Sequence, residues 1–206
     1  MPPGARWPEH VTDSSDSRKQ LLRSQVLETR TALHPHQRRR ADRQIASHLL
    51  RLLGERDCVD LAAFQPFRGE PDLTPALDVL AEAGRRIWLP VVDGRDMQFR
   101  RWQPGAPMVR NRFGIPEPAE GPFRDPARLE IVLTPLVAFS ANGMRLGMGA
   151  GYYDRAFDFL RRDPEAGPWL VGVAYALQQV DSLPADPWDV PLAAVLTERG
   201  LQVFRE

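Results

Sequence analysis

The feature that most constrains this chain is the stretch Arg145-Leu-Gly-Met-Gly-Ala-Gly-Tyr-Tyr-Asp-Arg155, in which glycines alternate at 147, 149 and 151. Glycine tolerates positive φ and lets the backbone approach a ligand closely. Directly after it, Tyr153, Ala156, Phe157 and Leu160 recur at the i, i+3, i+4, i+7 spacing of a helix. Upstream, Ile131-Val-Leu133 is β-branched and ends at Thr134-Pro135, the pattern of a buried strand. The expected unit is strand, glycine loop, helix. Free N–H groups at a helix start attract anions, and phosphate is the expected ligand. The spacing fits neither a Walker loop, since no Gly-Lys-Ser/Thr follows, nor the dinucleotide fingerprint. Taken alone, the glycines are equally compatible with a tight corner. Arg145, Asp154 and Arg155 around them favour function, because a cation, an anion and bare amides together suit a metal-bound phosphate.

Around this loop the chain reads as alternating strands and helices. Val59-Asp-Leu-Ala-Ala-Phe64 is the first expected central strand. Thr74-Pro75 opens a helix with proline at its first position, lined by Leu77, Leu80 and Ala81 and ended by Gly84. Arg85-Arg-Ile-Trp-Leu-Pro90 is the next strand. Such a β-loop-α-β unit predicts a parallel sheet with ligands at the carboxyl ends of its strands. Glu70 lies in the loop at 65–72. A helix-leading acid would explain it, but residues 73–74 separate it from the helix, which favours a ligand contact. Met97–Trp102 alternates as the start of an edge hairpin. Residues 103–128 carry six prolines and read as a long irregular connection, a kind that often carries function. Trp169–Ala174 is another buried strand, and Ala194–Thr197 pairs with Leu201–Phe204 across Arg199-Gly200. Asp189 sits in the proline-fixed loop at 184–191. It reads either as a turn-forming aspartate or as an acidic partner for Asp154 around Mg²⁺.

At the amino end, residues 1–16 are rich in proline, serine and aspartate and read as a disordered leader. Ser17-x-x-Gln20 is a capping-box pattern, so a helix is expected to start at Ser17, with an apolar stripe of Leu22, Val26 and Leu33. Lys19, Arg23 and Arg30 fall on one line beside that stripe. A solvated basic edge is the ordinary reading of such a line. However, Lys19 is the only lysine among 27 basic residues. Its ammonium is a compact point charge that arginine does not copy, which makes Lys19, with Arg23, a candidate phosphate ligand. A second amphipathic helix is expected over 36–53, with Gly54 as its C-cap and Arg38-Arg39-Arg40 as a solvated face. No histidine has metal spacing with a cysteine, so no zinc site is expected.

Composition narrows the classes further. With 27 basic and 27 acidic residues, no net field favours nucleic acid or a membrane surface. There is no apolar run of spanning length and no signal-peptide pattern. Cys58 is the only cysteine, so it cannot form an internal disulfide and reads as a small core residue. A cytoplasmic monomer is expected.

These residues resemble the 5-formyltetrahydrofolate cyclo-ligase family. The resemblance runs from about Arg18 to the C-terminus. It is carried by Lys19-x-x-x-Arg23, Phe64 followed by Glu70, Gly114-Ile-Pro-Glu-Pro118, Pro135-x-x-Ala-Phe139, Gly143-x-Arg145-Leu-Gly-x-Gly-x-Gly-Tyr-Tyr-Asp-Arg155 and Pro184…Asp189…Thr197-Glu198. It implies one α/β domain over 17–206, in three layers, with a mainly parallel central sheet and helices on both faces. The implied reaction is ATP- and Mg²⁺-dependent cyclisation of 5-formyltetrahydrofolate to 5,10-methenyltetrahydrofolate, with the formyl oxygen phosphorylated on the way.

In that scheme Lys19, Arg145 and Tyr152 are catalytic. ATP is bound by Lys19, Gln20, Leu21, Leu22 and Arg23, by Arg145, and by Gly147, Met148, Gly149, Ala150, Gly151, Tyr152 and Tyr153. The folate contacts Gln65 and Glu70, the loop residues Met148 to Gly151, and Tyr152. The two tyrosines offer flat walls for a pterin. Asp154 and Asp189 hold Mg²⁺. Ala150 and Trp188 depart from the residues common in the family at those places, which bears on the phosphate contact and on the geometry beside Asp189. Two rival classes stay open: a phosphate-sugar isomerase, which would turn over without ATP, and a non-catalytic folate- or nucleotide-binding relative.

Overall fold

The computed structural model describes residues 12–205, so Trp7 and most of the expected leader lie outside the described residues. Helix α1 (Thr12–Thr31) begins before the predicted Ser17. No glycine or proline lies between Thr12 and Thr31, so nothing stops the helical ladder there. Ser17 and Gln20 are exposed residues inside the helix, not a capping box, and residues 12–16 are helical. Helix α2 (Pro35–Glu55) has proline in its first turn, and the His34 side chain accepts from the His36 N–H at 3.3 Å. Ile45, Leu49, Leu52 and Leu53 are buried along α2 as expected. Gly54 is inside α2, whose last turn closes at Arg56, not at a glycine cap.

The chain continues through β1 (Asp60–Ala62), α3 (Thr74–Glu82), β2 (Arg86–Asp93) and β3 (Asp96–Trp102). The connection expected to be irregular carries a ribbon of β4 (Met108–Arg110) and β5 (Pro116–Pro118), then β6 (Phe123–Arg124). Next come β7 (Ile131–Pro135), β8 (Ala138–Ser140), β9 (Arg145–Leu146), α4 (Tyr152–Ala156), β10 (Trp169–Val173), β11 (Gln179–Val180), β12 (Ala194–Thr197) and β13 (Gly200–Val203).

The main sheet has eight strands in the order β13-β12-β10-β7-β1-β2-β3-β6. From β12 through β2 every pairing is parallel. Antiparallel pairs flank this block, and β3 is covered by β6, so it is not the edge. Period-two alternation sends neighbours to opposite faces. Leu61, Leu133, Val171 and Leu196 meet α2 and α3 on one face. Ala62, Val132, Leu170 and Val195 meet Phe157 and Leu160 on the other.

That second face differs from expectation. The helical spacing after the glycine loop yields a five-residue α4 and a separate 3-10 turn at Asp158–Arg161. Phe157 leaves the helical region at φ −117° to bury its ring against the sheet. The glycine loop also does not follow β7 directly. Strands β8 and β9 intervene and join β11 in a small second sheet. Val26 of α1 packs onto that sheet through Val137, Ala138 and Leu146. Cys58 is buried, and burial pushes its thiol up to about 12, as befits an unreactive core residue. Among the described residues no helix is long and apolar enough to cross a membrane.

Gly143 closes the β8–β9 turn at φ +81°, and a Cβ there would lie 2.9 Å from the Leu192 carbonyl oxygen. Both terms oppose a side chain: about 1–2 kcal/mol for the left-handed backbone and about 1–3 kcal/mol for overpacking. Gly143→Ala should therefore lower unfolding free energy by roughly 2–4 kcal/mol in urea titrations. Gly84→Ala, with nothing within 4 Å of its Cβ position, carries only the backbone cost.

Candidate active site

Parallel strands deliver their carboxyl ends, and the loops that follow, to one rim. Here that rim encloses a cavity of about 1230 Å³. Its wall combines the loop after β1, Pro135 and Leu136 at the end of β7, the glycine loop, one face of α1 and the 186–189 turn. The opposite wall comes from β2, β3 and the β4–β5 ribbon, through Pro90, Val92, Met97, Ile115 and Glu117.

Gly149 and Gly151 adopt φ +97° and +67°. Among the described residues no backbone N–H from Gly147 to Gly151 donates a hydrogen bond. The carbonyls of the loop are engaged instead. Arg23 Nε donates to the Gly147 oxygen at 2.9 Å, and Arg155 donates to the Ala150 oxygen at 2.9 Å. Cations thus hold the loop by its acceptors and leave its donors open, the arrangement of an anion nest. The five-residue α4 adds little dipole, so the nest itself supports anion binding.

Lys19 is 6% exposed, not a rim residue, and its ammonium meets Asp186 at 2.6 Å and Asp189 at 3.0 Å. Burial alone would lower its pKa, but hydrogen bonds and charge from the two aspartates outweigh that and raise it. Asp189 also accepts from the Asp186 N–H at 2.8 Å. Arg145 pairs with Asp154 at 2.7 Å and donates to the Val190 carbonyl, while the Val190 N–H donates to Asp154 at 3.2 Å. Asp154 and Asp189 therefore line one cavity, each bound to a different cation. One oxygen of each, Oδ2 of Asp154 and Oδ1 of Asp189, accepts no hydrogen bond among the described residues.

Glu70 is buried beneath the loop after β1. It accepts from the Phe67 N–H at 3.0 Å and faces Arg30 at 4.0 Å. Burial pushes its carboxyl up to about 7, against the pull of Arg30 and the Phe67 N–H. Gln65 lines the same wall. The Tyr153 ring stacks on Phe157 at 6.3 Å, and its hydroxyl is buried without a partner among the described residues. The Tyr152 hydroxyl is already engaged: it donates to the Gly94 oxygen at 3.0 Å and accepts from Arg112.

Most expected site residues thus converge on this cavity, including Met148 and Ala150. Gln20, Leu21 and Leu22 do not line it. Successive helical residues turn by about 100°, so Leu21 is 57% exposed and Leu22 packs towards Val26. Trp188 lies at the cavity mouth and is 60% exposed.

Three residues were not anticipated as part of the site. Asp186 shares Lys19 with Asp189, and its only sequence signal was the Asp-x-x-Asp spacing. Glu117 sits within Gly114–Pro118. Arg30, read as part of a basic edge, is fully buried and donates to the carbonyls of Arg68 and Leu136, which fixes the Glu70 loop to α1. Arg68 needs that hold, because it is the only non-glycine with positive φ among the described residues.

The Glu70 carboxyl titrates at about 7 in the fold, against 4.5 ordinarily. The folded state therefore binds more protons between those values, and stability must fall as pH rises through that window. The expected loss is about 3 kcal/mol. Urea unfolding from pH 4.5 to 7.5 should show it, and Glu70→Gln should flatten the slope there.

Residues 15–198 match the 5-formyltetrahydrofolate cyclo-ligase family. The chain is 34% identical over 187 residues to the Haemophilus influenzae 5-formyltetrahydrofolate cyclo-ligase, covering 87% of this chain and 97% of that one. It is 36% identical over 178 residues to the Escherichia coli K12 enzyme of the same name, covering 84% and 96%. The fold matches Aquifex aeolicus 5,10-methenyltetrahydrofolate synthetase with TM-score 0.79 and 34% identity, over 91% of this chain and 93% of that one. It matches the Mycoplasma pneumoniae synthetase with TM-score 0.71 and 29% identity, over 87% and 98%. With the nest, the paired acids and the buried cations in one cavity, the chain belongs to the 5-formyltetrahydrofolate cyclo-ligase family.

Proposed function

We propose that the protein converts 5-formyltetrahydrofolate and ATP into 5,10-methenyltetrahydrofolate, ADP and phosphate, with Mg²⁺. Family membership supports the folate reaction. The observation that supports ATP is the run of undonated N–H groups from Gly147 to Gly151, bordered by Lys19, Arg23 and Arg145. A formyl oxygen leaves poorly, so the ring can close only after that oxygen is made a good leaving group. The formyl oxygen attacks the γ-phosphorus as the bond to ADP breaks. N10 then attacks the formyl carbon, its proton goes to solvent, and phosphate departs with the former formyl oxygen.

Such chemistry asks the protein mainly for positioning and charge neutralisation. The nest would hold phosphate oxygens, with Lys19, Arg23 and Arg145 balancing their charge. Gln65 and Glu70 would hold the folate, and the Tyr152 and Tyr153 rings would wall the pterin. Asp154 and Asp189 suit Mg²⁺: each keeps an open carboxylate oxygen on the cavity. No three acidic, histidine or cysteine side chains form a ready cage among the described residues, which fits an ion completed by water and phosphate oxygens. When bound, the ion would neutralise phosphate charge.

The direct test follows methenyl product and ADP in parallel, with and without Mg²⁺. ADP release that needs 5-formyltetrahydrofolate supports the reading; product without ATP would end it. Gly149→Ala locates the nest. The added Cβ lies 3.6 Å from the Arg23 guanidinium, an ordinary contact, so the change acts through its φ of +97°. A penalty of about 1–2 kcal/mol should weaken ATP binding on the order of tenfold and leave folate binding intact. Ala150→Gly is the control. Normal ATP affinity in Gly149→Ala would move the phosphate site elsewhere.

A further inference from the structure

Glu117 is a buried carboxylate with half its acceptor capacity unused. It lies on β5, is 6% exposed, and lines the cavity wall opposite the glycine loop. Its Oε1 accepts from the Val92 N–H at 3.0 Å and from Asn111 Nδ2 at 2.6 Å. Its Oε2 accepts nothing among the described residues. Oε2 is not one of the fully buried, unpartnered side-chain atoms, so it is open to solvent on the cavity. A ligand that fills the cavity strips that solvent away and must supply a donor in its place.

The surroundings give that partner a shape. Val92, Met97, Phe113 and Ile115 line the same side of the cavity, offering apolar contact suited to a flat ring. Asn111 also fixes the ribbon tip, its Oδ1 accepting from the Phe113 and Ile115 N–H groups at 2.9 and 3.1 Å. The carboxylate and the apolar patch are thus one rigid unit. Glu70, the other buried acid on this cavity, differs: its Oε2 is taken by Phe67 N–H and its Oε1 faces Arg30.

We propose that Glu117 is a substrate-recognition residue, whose Oε2 accepts N–H from the 2-amino and N3 edge of the pterin ring. This rests on the folate reading above. A 2-amino-4-oxopterin presents adjacent N–H donors on that edge, and a fixed carboxylate oxygen with two lone pairs is their complement. A site built to bond such donors rejects an analogue that lacks them, because the buried acceptor is then left unpaired.

Glu117→Gln tests this directly. The amide oxygen can replace Oε1, pinned there because the Val92 N–H needs an acceptor, so the ribbon keeps its bonds. The cavity-facing atom becomes an NH₂ donor opposing the pterin donors. Affinities for 5-formyltetrahydrofolate, for a counterpart with the 2-amino group replaced by methyl, and for ATP are measured by calorimetry. Wild type should bind the parent at least tenfold more tightly than the methyl analogue. The variant should lose at least tenfold on the parent, discriminate little between the two, and keep its melting temperature and ATP affinity. Unchanged parent affinity in the variant, or equal binding of the two ligands by wild type, overturns the proposal. The wild-type comparison needs no variant, so a folding defect cannot mask the answer. If wild type binds neither folate, the folate reading itself fails.

Discussion

The ammonium of Lys19, held 2.6 Å from Asp186 and 3.0 Å from Asp189, is the contact on which the site's architecture depends. It ties the first helix to a loop near the other end of the chain and closes the cavity between them. The ammonium is buried while both aspartates keep some solvent access, so the contact is a partly buried ion pair that leaves carboxylate oxygen open to the cavity. The raised pKa of Lys19 shows that the two aspartates more than offset its burial. In the proposed reaction these groups have a second role, since a phosphate suits the ammonium and a hard cation suits the carboxylates.

The rest of the proposed phosphate side follows from a division of labour along one backbone stretch. Arg23 and Arg155 bind carbonyls of the glycine loop, and Arg145 with Asp154 locks it to Val190. The loop is held from behind, so its N–H groups need not be spent on holding it. Alternating glycines make this possible, since Gly149 and Gly151 sit at positive φ. On the proposed folate side Arg30 does the equivalent work, fixing the strained Arg68 and the Glu70 loop through backbone carbonyls.

Much of this was legible in the sequence because it is local. The β-branched runs, Thr74-Pro75 and the glycine alternation are short-range patterns; the first two predicted the parallel sheet, and the third a loop that takes positive φ, as Gly149 and Gly151 do. The line of Lys19, Arg23 and Arg30 was readable from helical period, but its burial was not, because it depends on acceptors as distant as Leu136 and Asp189. The same holds for Asp186 and Glu117. Asp186 becomes meaningful only when α1 brings Lys19 to it, and Glu117 only when β2 supplies the Val92 N–H. Periodicity also overreached at α4. Phe157 and Leu160 have helical spacing, yet the sheet claims their side chains and the helix ends after five residues. At the amino end the reverse occurred: a capping pattern at Ser17 was overridden by a ladder with nothing to interrupt it.

The central claim is that the buried Lys19 ammonium, besides tying α1 to the 186–189 turn, binds phosphate. Calorimetric titration of Lys19→Ala with ATP in the presence of Mg²⁺ tests it most directly, with 5-formyltetrahydrofolate titrated in parallel on protein shown to be folded. A charge-assisted contact is worth about 1.5–3 kcal/mol, so ATP affinity should fall roughly 10- to 150-fold while folate affinity stays within about twofold. A folded Lys19→Ala protein that binds ATP as tightly as wild type would contradict the account, leaving Lys19 as a structural tie alone.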